Sequence, residues 1–190
     1  MTSREETRQE ILLAFQECGA KKPVLQITMR DIAAQAGISH SKIFYYYESK
    51  EHLLMAYVEY ITEEYAKFFQ QWREQILAIE NKNGMERELT RKFLKGLIYY
   101  NNDVYASAFY QIQMLAKYND ALNEAVDKKY RFFRTSINEV LEMINGFRND
   151  ELGNALFVLS EGICISAVHD DRQGAENYID HILDCIKTYV

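Results

Sequence analysis

Within residues 27–54 the chain collects side chains suited to gripping a polyanion. Arg30, Lys42 and Lys50 are cations, and Thr28, Ser39, Ser41, Tyr45 and Tyr46 carry hydroxyls. His40 stands among them. An arginine fork matches a guanine edge or a phosphate, and lysines and hydroxyls bind phosphate oxygens. This is recognition chemistry. The sequence has no Gly-rich phosphate loop, nucleophile elbow or metal-binding motif. An all-helical lyase or deaminase would need inward carboxylates or histidines at regular spacing, where the interior segments offer aromatics. No catalytic residue, metal or cofactor is therefore expected, and an enzyme is the weaker class.

The elements that hold these residues are helices. One proline and eight glycines in 190 residues favour long helices over a turn-rich β fold. Ile11, Leu12, Phe15 and Cys18 share one face of a helix over 4–18. Thr28 and Asp31 have capping-box spacing, which starts a short helix at Met29. Gly37 breaks that helix near Ala36, Ser39 caps a second one ending near Tyr46, and Ser49 caps a third. Ile32, Ala33, Ala36, Ile38 and Ile43 can pack between the two short helices, leaving His40, Ser41, Lys42 and Tyr46 outward. Tyr47 is expected in the core. From Leu54 to Ile79 apolar residues recur every three or four positions, predicting a rod over 49–80. Five further helices are expected, at about 85–101, 103–118, 120–145, 149–168 and 174–189. The fold class is all-α with about nine helices. Residues 1–52 read as a helix-turn-helix DNA-binding domain and 53–190 as an effector-binding and dimerisation domain.

Four stretches, in order and at ungapped spacing, resemble the TetR (tetracycline-repressor-like) family of bacterial regulators. They are Thr28-Met29-Arg30-Asp31-Ile32-Ala33, Ala36-Gly37-Ile38-Ser39, Ile43-Phe44-Tyr45-Tyr46-Tyr47 and Ser49-Lys50-Glu51-His52-Leu53-Leu54. The resemblance covers about 50 residues. It implies that the second short helix enters the major groove, that the last two helices dimerise and that the helices between enclose an effector pocket. It also implies repression as the commoner mode, with activation as the alternative. Two positions depart from the family pattern. The usual recognition-helix tyrosine is Phe44, so Tyr45 or Tyr46 would take its phosphate contact. A frequent lysine or glutamine is His40, and if His40 touches DNA, binding would tighten near or below its ordinary pKa of about 6.5. Lys50, opening the rod, is placed for a phosphate.

For dimerisation, Ile179, Ile182, Leu183 and Ile186 form a stripe at helical spacing. The preceding helix is apolar nearly all round, and Leu156, Leu159 and Ile163 are its expected interface residues. A two-fold dimer would carry its recognition helices about 34–36 Å apart, matching a near-palindromic operator in double-stranded DNA. Residues 93–137 are dense in aromatics. Most belong to the core, and some can line a cavity. The expected lining is Tyr65, Phe93, Leu97 and Tyr100 with Phe109, Met114, Phe133 and Ile137, which suits a mostly apolar or aromatic small molecule. An organic cation is the alternative, through cation–π contacts. A regulator answering to a protein or peptide would show an exposed apolar groove instead.

The net charge of −6 excludes a uniformly basic DNA binder. Residues 1–52 carry seven Lys/Arg and seven Asp/Glu, and the remainder carries fifteen against twenty-one. A neutral head on an acidic body still binds DNA where its cations converge on one face, with marked salt dependence. No apolar run reaches membrane-spanning length, no signal-peptide core is present, and three spaced cysteines (Cys18, Cys164, Cys185) do not make a disulfide framework. A cytoplasmic protein is expected. Metal or redox sensing through Cys164, His169, His181 and Cys185 is outweighed by burial of the thiols in apolar runs.

Overall fold

A computed structural model describes residues 3–100 and 103–167, with positions 177, 178, 180, 181 and 184 beyond them. Among the described residues there are eight numbered helices and no strand: α1 (Ser3–Lys21), α2 (Met29–Gln35), α3 (His40–Tyr46), α4 (Lys50–Leu77), α5 (Glu86–Tyr100), α6 (Asp103–Ala116), α7 (Asp120–Asn145) and α8 (Asp150–Ala167), with a 3-10 turn at Val24–Gln26. The all-α expectation holds. The five described positions past residue 167 are helical, and the rest of the expected ninth helix lies outside the described residues.

Local chemistry sets the starts. The Ser49 hydroxyl accepts the His52 amide at the head of α4. Asn119 accepts the Leu122 amide at α7, and Asn149 accepts the Leu152 amide at α8. Each side chain satisfies an amide that the first helical turn leaves orphaned. The rod α4 stops at Leu77, short of the expected 80, because the chain turns through Asn81–Gly84. Its 28 residues still span roughly 42 Å.

Two compact units divide the chain. The first comprises Met1–Glu63 with Val104–Lys129. Its interior holds Ile11, Phe15, Val24, Ile32, Ile43, Tyr47, Leu53, Tyr57 and Ile112. Phe15 meets Tyr57 edge-on at 4.9 Å. A Cβ added at Gly19 of α1 would sit 2.9 Å from the Cβ of Ala108, so only glycine lets α1 lie this close to α6. The second unit comprises Glu64–Asp103 with Tyr130–Val190. Its interior is aromatic: Tyr65 meets Phe133 at 4.4 Å and Tyr100 at 5.2 Å, and Phe69 meets Phe133 at 5.6 Å. The Tyr100 hydroxyl donates to the Glu64 carbonyl, and α5 packs against α8.

On α8 the inward side differs from the expected partner side. Leu156 and Ile163 are buried within the protomer and Leu159 is half-buried. The outward side carries Ala155, Val158, Gly162 and Ile165 at helical spacing, with Val158 67% and Ile165 49% exposed. A helix apolar on all sides does not reveal from periodicity which stripe its own chain will cover. Ile179, Ile182, Leu183 and Ile186 lie outside the described residues. Asp180 pairs with Arg91 at 2.9 Å and with Lys95 at 3.1 Å, and Asp184 pairs with Arg87.

Candidate DNA-binding site

The reader is built from two seven-residue helices, too short to hold themselves in water. Polar caps and a buried frame hold them. At α2 the Thr28 hydroxyl accepts the Asp31 amide at 3.2 Å, and the Thr28 amide donates to the Asp31 carboxylate at 2.7 Å. That is a complete capping box. The hydroxyl also donates to Asp31, so its proton is committed. Lys22 pairs with the same carboxylate at 2.8 Å. The Lys22 and Thr28 hydrogen bonds hold the Asp31 carboxyl well below the usual carboxylate range. Gly37 turns the chain at φ +66°, a left-handed conformation that L side chains resist. Ser39 then caps α3 by accepting the Lys42 amide at 3.2 Å.

Ile32, Ala33 and Ile43 are buried beneath this frame. His40, Ser41 and Lys42 stand exposed on the first turn of α3, and Arg30 is exposed on α2. His40 meets Phe44 edge-on at 5.1 Å. Phe44 is 41% exposed, Tyr45 67%, Tyr46 half-buried and Tyr47 fully buried. The tyrosine run thus divides as expected, with Tyr47 in the core and its neighbours at the surface.

Lys50 departs from expectation. Its ammonium donates to the Val24 carbonyl at 2.6 Å and to the Leu25 carbonyl at 3.3 Å. Burial, with the charge of Lys22, pushes its pKa down. Here Lys50 ties the 3-10 turn to the head of α4, and a phosphate would have to draw it away. The same turn is held from α6, where the Gln111 side chain accepts the Val24 amide at 2.7 Å. Asn119 donates to Glu51 at 2.7 Å.

Sequence reasoning missed Arg8 as well as Gln111. The Arg8 guanidinium lies 4.6 Å over the Tyr47 ring and donates to the Tyr46 carbonyl at 3.0 Å. The Tyr47 hydroxyl returns a bond to the Arg8 carbonyl at 3.1 Å. A cation at the last carbonyl of α3 satisfies an orphan acceptor and opposes the helix dipole. Burial pushes the Tyr47 phenol up to about 12. The signal was present in the sequence. Arg8 continues the inward stripe of Ile11 and Phe15 at i, i+3 and i+4 spacing, where an unpaired charge is costly.

Residues 12–57 match the sequence profile of the bacterial regulatory proteins, tetR family. Over that segment the chain is similar to the tetR family. No protein of curated function matches it. Solved structures share the fold along nearly the whole chain. A protein of Mesorhizobium loti MAFF303099 assigned as a tetR-family transcriptional regulator superposes with TM-score 0.76 at 15% identity, covering 97% of this chain and 96% of that one. A TetR transcription regulator of Haloarcula marismortui ATCC 43049 gives 0.70 at 20%, covering 95% and 98%. A transcriptional regulator assigned in Saccharomonospora viridis, solved in complex with choline, gives 0.71 at 18%, covering 97% of each chain. At these identities the likeness is one of fold: this chain has the architecture of tetR-family regulators.

Of the residues expected to line an effector pocket, Tyr65, Phe93, Leu97, Tyr100, Phe133 and Ile137 fall in the second unit. There the Tyr65 ring meets Phe133 and Tyr100 edge-on. Phe109 and Met114 fall in the first unit. Phe109 lies under the Lys129 ammonium at 3.9 Å. Met114 is 70% exposed, on the solvent side of α6, so it lines no closed cavity here. Helical spacing placed it among aromatics without fixing which face turns inward. Among the described residues no group of His, Cys, Asp or Glu is placed to hold a metal, and no helix is long and apolar enough to cross a membrane. Cys18 and Cys164 are buried, and His169 and Cys185 lie outside the described residues.

Proposed function

We propose that the protein is a transcriptional regulator that binds a near-palindromic operator as a homodimer, acts as a repressor and is released by a small molecule. The observation that carries this is the exposed His40-Ser41-Lys42 turn of α3, set on a capped and buried frame inside the segment that matches the tetR family. Arg30 and Tyr45 extend the contact surface, with Tyr45, the most exposed of the three tyrosines, replacing the hydroxyl that Phe44 lacks. The functional division stays at 1–52 and 53–190. The dimer is proposed to use the Val158–Ile165 side of α8 together with the C-terminal helix, since Leu156 and Ile163 are already occupied within the protomer.

The effector is proposed to be mostly apolar or aromatic and to enter the second unit by parting the rings of Tyr65, Tyr100 and Phe133. A ligand that binds only the parted state shifts the population towards it. The choline complex of the Saccharomonospora protein supports an organic cation as the second ligand class, since ring faces attract quaternary ammonium groups. Two routes would carry the change to the reader: the rod α4, and α6 through Gln111 and Ala108, which touch the Val24 turn and α1. The test is fluorescence anisotropy on DNA from upstream of the gene. The wild type should bind it specifically, and the His40→Ala/Lys42→Ala variant should lose at least about 30-fold, since good base contacts are worth about 1–3 kcal/mol each. Equal binding by both would refute the reading.

A further inference from the structure

The Arg4 guanidinium lies 5.3 Å over the ring of Tyr45, at the C-terminal end of the exposed face of α3. Arg4 itself is exposed and makes no ion pair or side-chain hydrogen bond among the described residues. Arg8, one turn on, takes the Tyr46 carbonyl and the Tyr47 ring. Two arginines of α1 therefore meet three consecutive residues at the end of α3. Glu5 and Glu6 are rotated about 100° and 200° around α1 from Arg4, off this face.

We infer that Arg4 is a phosphate-binding residue of the DNA interface, steered by Tyr45, and that Arg8 is the positioning residue that fixes the end of α3 beside it. This rests on the DNA-binding reading above. A guanidinium held over a ring face by cation–π attraction keeps N–H donors free, and its fork matches two phosphate oxygens at once. Arg8 is engaged differently, with one guanidinium N–H donating to the Tyr46 carbonyl and its face over the Tyr47 ring. Its contribution is to hold α3, and with it Tyr45, at a fixed distance from α1. The result is a cationic extension of the reader from the His40-Ser41-Lys42 turn to the far end of the helix. It would follow the backbone beyond the bases being read.

Salt titrations of operator and unrelated duplex by full-length wild type and variants test this. Loss of one phosphate contact lowers the slope of log K against log salt by about 0.9, which is roughly an eightfold loss at 0.1 M relative to 1 M salt. Arg4→Ala should show that loss on both duplexes alike, because a backbone contact carries no sequence information. Arg4→Lys should keep the slope. Tyr45→Ala combined with Arg4→Ala should lose less than the sum of the single variants. Arg8→Met should weaken operator binding with the slope unchanged. A wild-type slope in Arg4→Ala overturns the inference and leaves the DNA-binding reading standing. A wild type that binds no duplex overturns both. Circular dichroism checks that each variant is folded.

Discussion

The two compact units are stabilised by different physics. In the first, α2 and α3 are short and lean on directional polar contacts: the Thr28–Asp31 box, the Ser39 cap, Arg8 on the Tyr46 carbonyl and Lys50 on the Val24 turn. These contacts orient helices without covering their outer faces, so His40, Ser41 and Lys42 stay in water. In the second, Tyr65, Phe68, Phe69, Phe93 and Phe133 are buried ring against ring. Aromatic packing stabilises by area and shape and can be rearranged by a ligand of similar chemistry.

Truncating a buried ring should show the largest effect. Phe69→Ala should lower stability by about 3–5 kcal/mol, read from the urea midpoint. A cost below about 1 kcal/mol would mean that the second unit is not held by its rings. Next comes the outward side of α8: if the proposed dimer forms through it, Val158→Arg should give a monomer by light scattering while helicity is retained, and a dimer that persists would move the interface elsewhere. In the first unit Thr28→Ala removes one cap and should cost about 1 kcal/mol, visible as a fall in melting temperature. An unchanged melt would leave α2 held by burial alone, like the second unit.

The smallest effect is electrostatic. The folded-state pKa of Asp31 is depressed, so its ionised form stabilises the fold at all pH above its unfolded-state value near 3.9. That stabilisation is lost as pH falls below this value towards the folded one. Asp31→Asn should therefore be less stable than the wild type at neutral pH, and the gap should begin to narrow only as pH falls below about 4. Parallel pH curves would contradict the assignment.

The same contrast governs what could be read from the residues alone. Caps and turns are local: Thr28 with Asp31, Gly37, Ser39, Ser49, Asn119 and Asn149 each announce a boundary within a few positions. The reader was legible for that reason. Contacts distant in sequence were not. Lys50 on Val24, Gln111 on the same turn and Arg8 on Tyr46 join residues far apart in the chain. Their only sequence trace was a polar group where the helical period expects an inward one. Faces of apolar helices were harder still. Leu156 and Val158 are equally apolar by type, and only packing against α5 and its neighbours decides that the first is covered and the second is not.

The central claim is that two copies of α3 meet the duplex at its own stride. It is tested most directly by measuring operator affinity before and after inserting half a helical turn, roughly 5 bp, between the half-sites. The insertion should move one half-site to the far face of the duplex and reduce binding to that of a single half-site. Affinity unchanged by the insertion would contradict the paired arrangement.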